Sequence, residues 1–166
     1  MAEAFLRRDL AARGVTATVS SAGTLRDGMA AAEEVVELMD KRGIDVELHR
    51  SRRLSHDMLA SADLIIGMTR DHVREGALMD FDCFARSFTL KEIVRRGTTI
   101  GPRRHDESVD SWLKRVGEGR EPRDYLFAED DDIEDPMGRR FSVFKRTATE
   151  IEGLTAALVG LAWPVA

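Results

Sequence analysis

The feature that most constrains the fold is the run Leu64-Ile65-Ile66-Gly67-Met68, which has no polar side chain and lies between two segments of helical pattern. A strand with one face in water alternates apolar and polar residues, whereas a strand covered on both faces by helices stays apolar throughout. A short helix is predicted over Asp57 to Ala62 before the run, and a longer one from Thr69 to about Met79 after it. This order predicts an α/β fold built on a parallel sheet.

The rest of the chain continues the alternation of helices and strands. Residues 15–21 alternate between apolar and polar side chains, which is typical of a half-buried strand at a sheet edge, and residues 81–90 hold another candidate strand. Apolar residues at helical spacing predict helices over residues 1–13, 30–42, 91–96, 109–116 and 141–162, with Gly14, Gly43 and Gly97 as stops. We therefore expect one domain over residues 1–166, with helices on both faces of the parallel sheet.

Charge and cysteine content argue against several classes of protein. The net charge of −5 disfavours nucleic acid as a partner, because no basic excess is available to neutralise phosphates. Cys83 is the only cysteine, so no intrachain disulfide can form, which suits a reducing cytoplasm. The four histidines show no metal-ligand spacing and no apolar run is long enough to span a membrane. We therefore expect no metal, no cofactor and no membrane contact.

Arginines cluster at three places in spite of the negative net charge. These are Arg50, Arg52 and Arg53, then Arg103 and Arg104, then Arg139 and Arg140. Such clusters either bind one anion or only solvate the surface, and the sequence leaves both interpretations open.

An acidic run precedes the long C-terminal helix and contains a candidate catalytic residue. Six of the seven residues from Glu129 to Asp135 are acidic, and Pro136 follows. Repulsion among these carboxylates is expected to favour a proton on at least one of them, and a carboxylic acid that keeps its proton can protonate a leaving group. The alternative is a solvated acidic turn, in which Asp-Pro breaks the chain before the helix.

Several short segments occur in an order that resembles the low-molecular-weight protein tyrosine phosphatase family. They are Met1-Ala2-Glu3-Ala4, Ser21-Ala22-Gly23-Thr24, Gly43-Ile44 with His49-Arg50-Ser51-Arg52, Asp63-Leu64-Ile65-Ile66 with Met68-Thr69-Arg70, and Ile133-Glu134-Asp135-Pro136. The resemblance covers most of the chain. It implies a flavodoxin-like fold and the hydrolysis of phosphate monoesters, on a phosphorylated protein or a small molecule, without a cofactor.

The mechanism of that family implies a role for Asp135. Its members form a cysteinyl-phosphate intermediate on a loop of pattern Cys-x-x-x-x-x-Arg, whose backbone N–H groups and arginine hold the phosphate. This electropositive setting lowers the pKa of the cysteine and makes it a nucleophile. An aspartate in an Asp-Pro motif near the C-terminus protonates the leaving oxygen and then activates water. By its match to that motif, the aspartate here is Asp135.

The chain departs from the family pattern at the catalytic loop. In the family this loop follows the first strand and lies directly before the helix that opens here at Met1, and neither strand nor loop is in the sequence. Cys83 does not fit the pattern, because the residue six positions on is Thr89, and we expect it to be a small core residue. Met137-Gly138 stands where many members carry an aromatic residue, so a preference for aryl phosphates is not implied.

Two explanations account for the missing loop. Either Met1 is an internal methionine of a longer protein that carries the loop, or the chain is a non-catalytic phosphatase-like binding module. We expect the first, since a remnant has no chemical reason to keep Asp135, and we expect the polypeptide as written to be inactive. A response-regulator receiver would need its acidic pair just after the first strand, and an arsenate reductase of the same fold would need further redox cysteines.

Overall fold

The computed structural model describes residues 1–125 and 131–165. Its elements in chain order are α1 (Ala2–Ala12), α2 (Glu33–Asp40), α3 (His56–Ser61), β1 (Ile65–Gly67), α4 (Arg70–Met79), β2 (Ser87–Thr89), α5 (Leu90–Ile100), α6 (Val109–Val116) and α7 (Phe141–Ala162), with 3₁₀ turns over Phe81–Arg86 and Pro122–Tyr125. Helices alternating with parallel strands confirm the α/β class. Of the helices described, none has the length and apolar character needed to cross a bilayer.

Two compact units make up the structure. The first contains Met1–Leu54 and Glu134–Ala156, and the second contains Ser55–Ile133 and Ala157–Ala166. Helix α7 is shared, because its first part belongs to one unit and its last turns belong to the other. A single domain over residues 1–166 stays a prediction.

The parallel sheet lies in the second unit and consists of β1 and β2. Its register runs from the pair Ile65–Ser87 to the pair Gly67–Thr89. Helix α4 lies in the connection between the strands, as a parallel pair requires. All three residues of β2 are buried, whereas Ile65 and Ile66 are only half-buried. The apolar run therefore predicted the strand correctly but overestimated how far it is covered.

Helix α4 begins directly after β1, where the sequence predicts it. Thr69 Oγ1 accepts the backbone N–H of His72 at 3.5 Å, and His72 Nδ1 accepts the backbone N–H of Thr69 at 3.3 Å, which forms a capping box. Asp71 lies in the first turn, where the helix dipole favours an acid. Gly67 permits the tight turn, because a Cβ there would lie 2.9 Å from the carbonyl oxygen of Thr69.

The strand predicted over residues 15–21 is not formed. Residues 15–20 have no regular structure, and the nearest pairing is an isolated bridge between Gly23 and Arg53. An extended segment forms a strand only where a neighbour satisfies its backbone groups, and no strand within residues 1–125 and 131–165 pairs with this one. Val15 and Val19 are still half-buried, so the apolar side of the pattern is retained in part.

Helix α5 is longer than predicted, because Gly97 lies inside it and not at its end. A Cβ on Gly97 would lie 3.1 Å from both Trp112 Cζ2 and Leu161 Cδ1, so the glycine is there for close packing. The helix ends at Gly101, whose φ of +93° favours glycine. Gly97 thus permits close packing, whereas Gly101 ends the helix. The local sequence does not distinguish these two roles of glycine.

Replacing Gly97 with alanine is expected to destabilise the protein by about 1–3 kcal/mol, the usual cost of an extra methyl group in a packed core. The gain of about 1 kcal/mol in helix propensity offsets only part of that cost. Urea unfolding followed by tryptophan fluorescence measures the change, since Trp112 contacts the site. Gly153→Ala in α7 is the control: its Cβ would meet nothing within 4 Å, so it should be neutral or stabilising. Equal destabilisation in both variants would contradict the packing explanation.

Two further predicted elements are shorter in the structure, and two helices have the predicted bounds. The helix predicted over residues 30–42 is shortened to α2, and of the candidate strand over 81–90 only β2 forms, after a 3₁₀ turn. Helices α6 and α7 have the predicted bounds.

Each unit has its own buried side chains. In the first unit, Leu38, Phe144 and Ala148 form a cluster against which Val35 and Phe141 pack. In the second unit, the largest fully buried side chains are Trp112, Phe88, Leu59, Leu90, Ile93, Leu158, Val73 and Val116. The apolar stripe predicted for α7 supplies residues to both sets.

Candidate active site

Asp135 lies in an exposed turn of the first unit, just before α7. Its Oδ1 accepts the backbone N–H of Met137 at 3.0 Å, which is its only hydrogen bond among the described residues. The turn is closed by the N–H of Arg139, which donates to the carbonyl of Pro136 at 2.9 Å, and Gly138 adopts a φ of +73° within it. One carboxylate oxygen is therefore held in place, and the other forms no hydrogen bond among the described residues.

The acidic segment before this turn is anchored at the end of β1, in the second unit. Asp132 Oδ1 accepts the backbone N–H of Arg70, the first residue of α4, at 2.8 Å. The N–H of Ile133 donates to the carbonyl of Met68 at 2.9 Å, and the Ile133 side chain is buried. Lys91 Nζ donates to the Asp132 carbonyl at 2.7 Å. A carboxylate at a helix N-terminus is favourable, so this attachment is stable.

The described carboxylates of the acidic run have separate partners. Asp131 pairs with Arg95 at 2.7 Å, and Glu134 pairs with Arg146. Residues 129 and 130, which the repulsion argument also used, lie outside the described part of the chain. Repulsion within the run is therefore not supported as the reason for a proton on any of its members, and the role of the candidate acid rests on its motif and its turn.

Cys83 is a core residue, as expected. Its side chain is fully buried in the 3₁₀ turn before β2, and Ser87 Oγ lies 3.4 Å from its Sγ and donates to its carbonyl oxygen at 2.7 Å. A thiol without access to substrate does not attack a phosphate ester. Within residues 1–125 and 131–165 there is also no group of His, Cys, Asp and Glu side chains suited to a metal ion.

The other segments of the resemblance form two groups, one in each unit. In the first unit, the N–H of Gly23 donates to the Arg52 carbonyl and the N–H of Leu54 donates to the Gly23 carbonyl, both at 2.8 Å. Ser21 Oγ donates to the carboxylate of Glu3 in α1. In the second unit, residues 63–70 form β1 and the start of α4, which hold residues 132 and 133. The structure thus joins the Ser21–Thr24 segment to the Arg52 segment, and the end of β1 to residues 132 and 133.

A buried ionic cluster around Arg120 was missed by sequence reasoning. Arg120 Nε lies 2.9 Å from Glu92 Oε1, and their side chains are 4% and 7% exposed. Tyr125 Oη donates to the other carboxylate oxygen of Glu92, and burial raises the pKa of Tyr125 far above its ordinary value. The guanidinium lies 3.8 Å from the centre of the Phe88 ring. Arg120 follows two glycines in a stretch without periodicity, so the sequence contains no signal for this cluster.

Comparisons with known proteins agree on one family. Residues 1–99 match the family described as low molecular weight phosphotyrosine protein phosphatase. The probable low molecular weight protein-tyrosine-phosphatase EpsP of Ralstonia nicotianae is 38% identical over 138 residues, which are 70% of this chain and 86% of that protein.

Solved structures of such enzymes have the same fold. The low molecular weight protein tyrosine phosphatase from T. tengcongensis gives a TM-score of 0.70 at 29% identity, over 95% of this chain and 86% of that one. A cysteine-to-serine mutant of the YwlE arginine phosphatase with a phosphorylated active-site serine gives a TM-score of 0.69 at 25% identity, over 95% and 82% of the two chains. The family match, the relative and the shared fold lead to one conclusion: this chain belongs to the low molecular weight phosphotyrosine protein phosphatase family.

Proposed function

We propose that this domain functions in the hydrolysis of phosphate monoesters of phosphorylated proteins or small molecules, in the cytoplasm, with Asp135 as the general acid. The observation that carries the proposal is the exposed Asp135 carboxylate, oriented by the N–H of Met137 at 3.0 Å within the Asp-Pro motif of a family member. A carboxylic acid in that position can protonate the leaving oxygen and later accept a proton from water. General acid–base catalysis of this kind contributes about 10²–10⁴-fold to the rate.

The nucleophile and the phosphate-binding arginine are proposed to lie on a loop outside residues 1–166. The support is that the family reaction needs a thiolate, whereas the single cysteine of this sequence, Cys83, is fully buried. In addition, Thr89 occupies the position where the family pattern would require arginine after Cys83. The alternative is a non-catalytic phosphatase-like binding module that uses the same fold without the loop.

Phosphotyrosine in a protein is the first substrate to test, because the relative EpsP is a probable protein-tyrosine-phosphatase. Phosphoarginine is the second, because the YwlE structure is that of an arginine phosphatase. Met137, which is 62% exposed after the Asp-Pro motif, presents a thioether where an aromatic residue would stack on a substrate ring. The proposal therefore does not favour aryl esters over other phosphate esters.

The polypeptide of residues 1–166 is expected to release no para-nitrophenol from para-nitrophenyl phosphate above the rate in buffer, because its one thiol is inaccessible. Absorbance measured over a range of protein concentrations tests this, with Cys83→Ser as the matched control. Turnover that is lost in Cys83→Ser would show that Cys83 is a nucleophile after all. Turnover that survives this substitution and scales with protein would exclude the cysteinyl-phosphate mechanism.

A further inference from the structure

Two segments of the first unit, residues 23–30 and 48–54, are joined side by side although neither forms a regular strand. Isolated bridges connect Gly23 with Arg53 in parallel and Ala30 with Arg50 in antiparallel orientation. These bridges keep the two segments adjacent. We term residues 23–30 and 48–54 together the arginine-rich surface.

Ser51 holds the middle of this surface with four hydrogen bonds. Its N–H donates to the Met29 carbonyl and its carbonyl accepts the N–H of Gly28, both at 2.8 Å. Its Oγ donates to the Arg26 carbonyl and accepts the N–H of Met29, both at 3.0 Å. The backbone is therefore ordered before any partner binds, which lowers the entropic cost of binding.

Four arginines of this surface are exposed and have no acidic partner among the described residues. They are Arg26, Arg50, Arg52 and Arg53. Arg50 donates only to backbone carbonyls of Glu47 and His49, at 2.9 and 2.7 Å. Exposed cations without an ion pair among the described residues also occur elsewhere, at Arg104, Arg139, Arg140 and Lys145. On the arginine-rich surface, however, four of them lie on two hydrogen-bonded segments, and such a group attracts an anion in spite of the net charge of −5.

Acidic side chains close in sequence do not neutralise the group. Asp27 accepts the N–H of Gly28 at 3.1 Å, and Asp45 accepts the N–H of Glu47 at 2.8 Å. Glu47 is exposed and forms no ion pair within the described residues. The charges of these acids reduce the positive potential but leave the guanidinium groups open to an external carboxylate.

The same two segments also carry large, exposed apolar side chains. Leu25 and Leu48 are each 87% exposed, and Met29 is 50% exposed. Side chains exposed to this extent are available to pack against apolar groups of a bound partner. Arginine with an adaptable apolar residue is the composition that protein interfaces favour.

We propose that the arginine-rich surface binds an acidic, extended segment of a partner protein that carries apolar side chains between its acids. Guanidinium groups pair with carboxylates through two parallel hydrogen bonds, which fits such a segment. Nucleic acid is disfavoured by the overall negative charge. This proposal does not depend on the chemistry at Asp135.

Fluorescence anisotropy with a labelled peptide of repeated Glu-Glu-Leu tests the proposal on the protein of residues 1–166. The double variant Arg52→Gln/Arg53→Gln is expected to bind roughly tenfold more weakly, a loss of about 1.4 kcal/mol. The double variant Arg104→Gln/Lys145→Gln removes the same charge from exposed positions that form no ion pair within the described part of the chain, and should change affinity less than about twofold. Leu25→Ser should weaken binding roughly threefold, and added salt should weaken it further.

Several results would overturn the proposal. They are equal affinity in the two double variants, equal binding of a Gln-Gln-Leu peptide, no saturable binding of the acidic peptide, or tighter binding of duplex DNA or of vesicles rich in anionic lipid. Circular dichroism of every variant shows that the fold is intact, which is expected because the substituted side chains are exposed. Phosphatase activity is not measured in this experiment. Its outcome therefore does not depend on whether the proposed function is correct.

Discussion

Replacing Arg120 with methionine is expected to destabilise the protein by about 3–5 kcal/mol, because it leaves the buried carboxylate of Glu92 without its cation. The guanidinium also donates to the carbonyls of Ser87 and Phe84 and lies 3.8 Å from the centre of the Phe88 ring. Its loss therefore also removes a connection between β2, the 3₁₀ turn before it and α5. Such a change is a large share of the roughly 5–15 kcal/mol by which domains are stable.

Chemical denaturation of two further variants shows whether the buried charge is the cause. Arg123→Met removes a nearby arginine that is 75% exposed and paired with Glu121, and should cost less than about 1 kcal/mol. Arg120→Met combined with Glu92→Met removes both buried charges and should recover much of the lost stability. If the double variant is less stable than the single one, the cost comes from lost contacts and not from an unpaired Glu92.

In a form of the domain that carries the phosphate-binding loop, Asp135→Asn is expected to slow hydrolysis of esters with poor leaving groups by about 10²–10⁴-fold. An alkoxide leaves with a basic oxygen that needs a proton in the transition state, whereas para-nitrophenolate is stable without one. The loss with para-nitrophenyl phosphate should therefore be much smaller. The measurement is kcat/KM for an alkyl phosphate and for para-nitrophenyl phosphate, compared between parent and variant.

Glu134→Gln is the matched control for this experiment. It neutralises the adjacent acid, which is exposed and paired with Arg146, and should leave both rates nearly unchanged. Equal losses for both esters in Asp135→Asn would show that the Asp135 side chain only maintains its turn. A folded, loop-bearing form without activity on any phosphate ester would favour the binding-module alternative.

The elements predicted correctly are those whose signal is local. The β1 region, α6 and α7 follow from apolar spacing over a few turns, and Thr69 caps α4 because its side chain acts on its own neighbours. The prediction over residues 15–21 was wrong because a strand also needs a partner, which alternation does not supply. Gly97 was misread because its role depends on Trp112, which is distant in sequence.

The candidate site, like the fold, was predictable from the sequence only where its signal is local. Asp135 was selected because Asp-Pro in this context is a short motif, readable without the fold, and its role as general acid stays a prediction. The separation of the acidic run onto Arg95, Arg146 and the start of α4 was not predictable, since each partner comes from another part of the chain. The Arg120 cluster lacks any local signature for the same reason.

The four hydrogen bonds of Ser51 have a practical consequence for chimeric proteins. Because residues 23–30 and 48–54 satisfy each other's backbone groups, they behave as one module although α2 separates them in the chain. Grafting only one of them from a relative would leave donors and acceptors of the other without partners. Exchanging both together preserves the junction, so recombination breakpoints in this family should lie outside the pair and not within it.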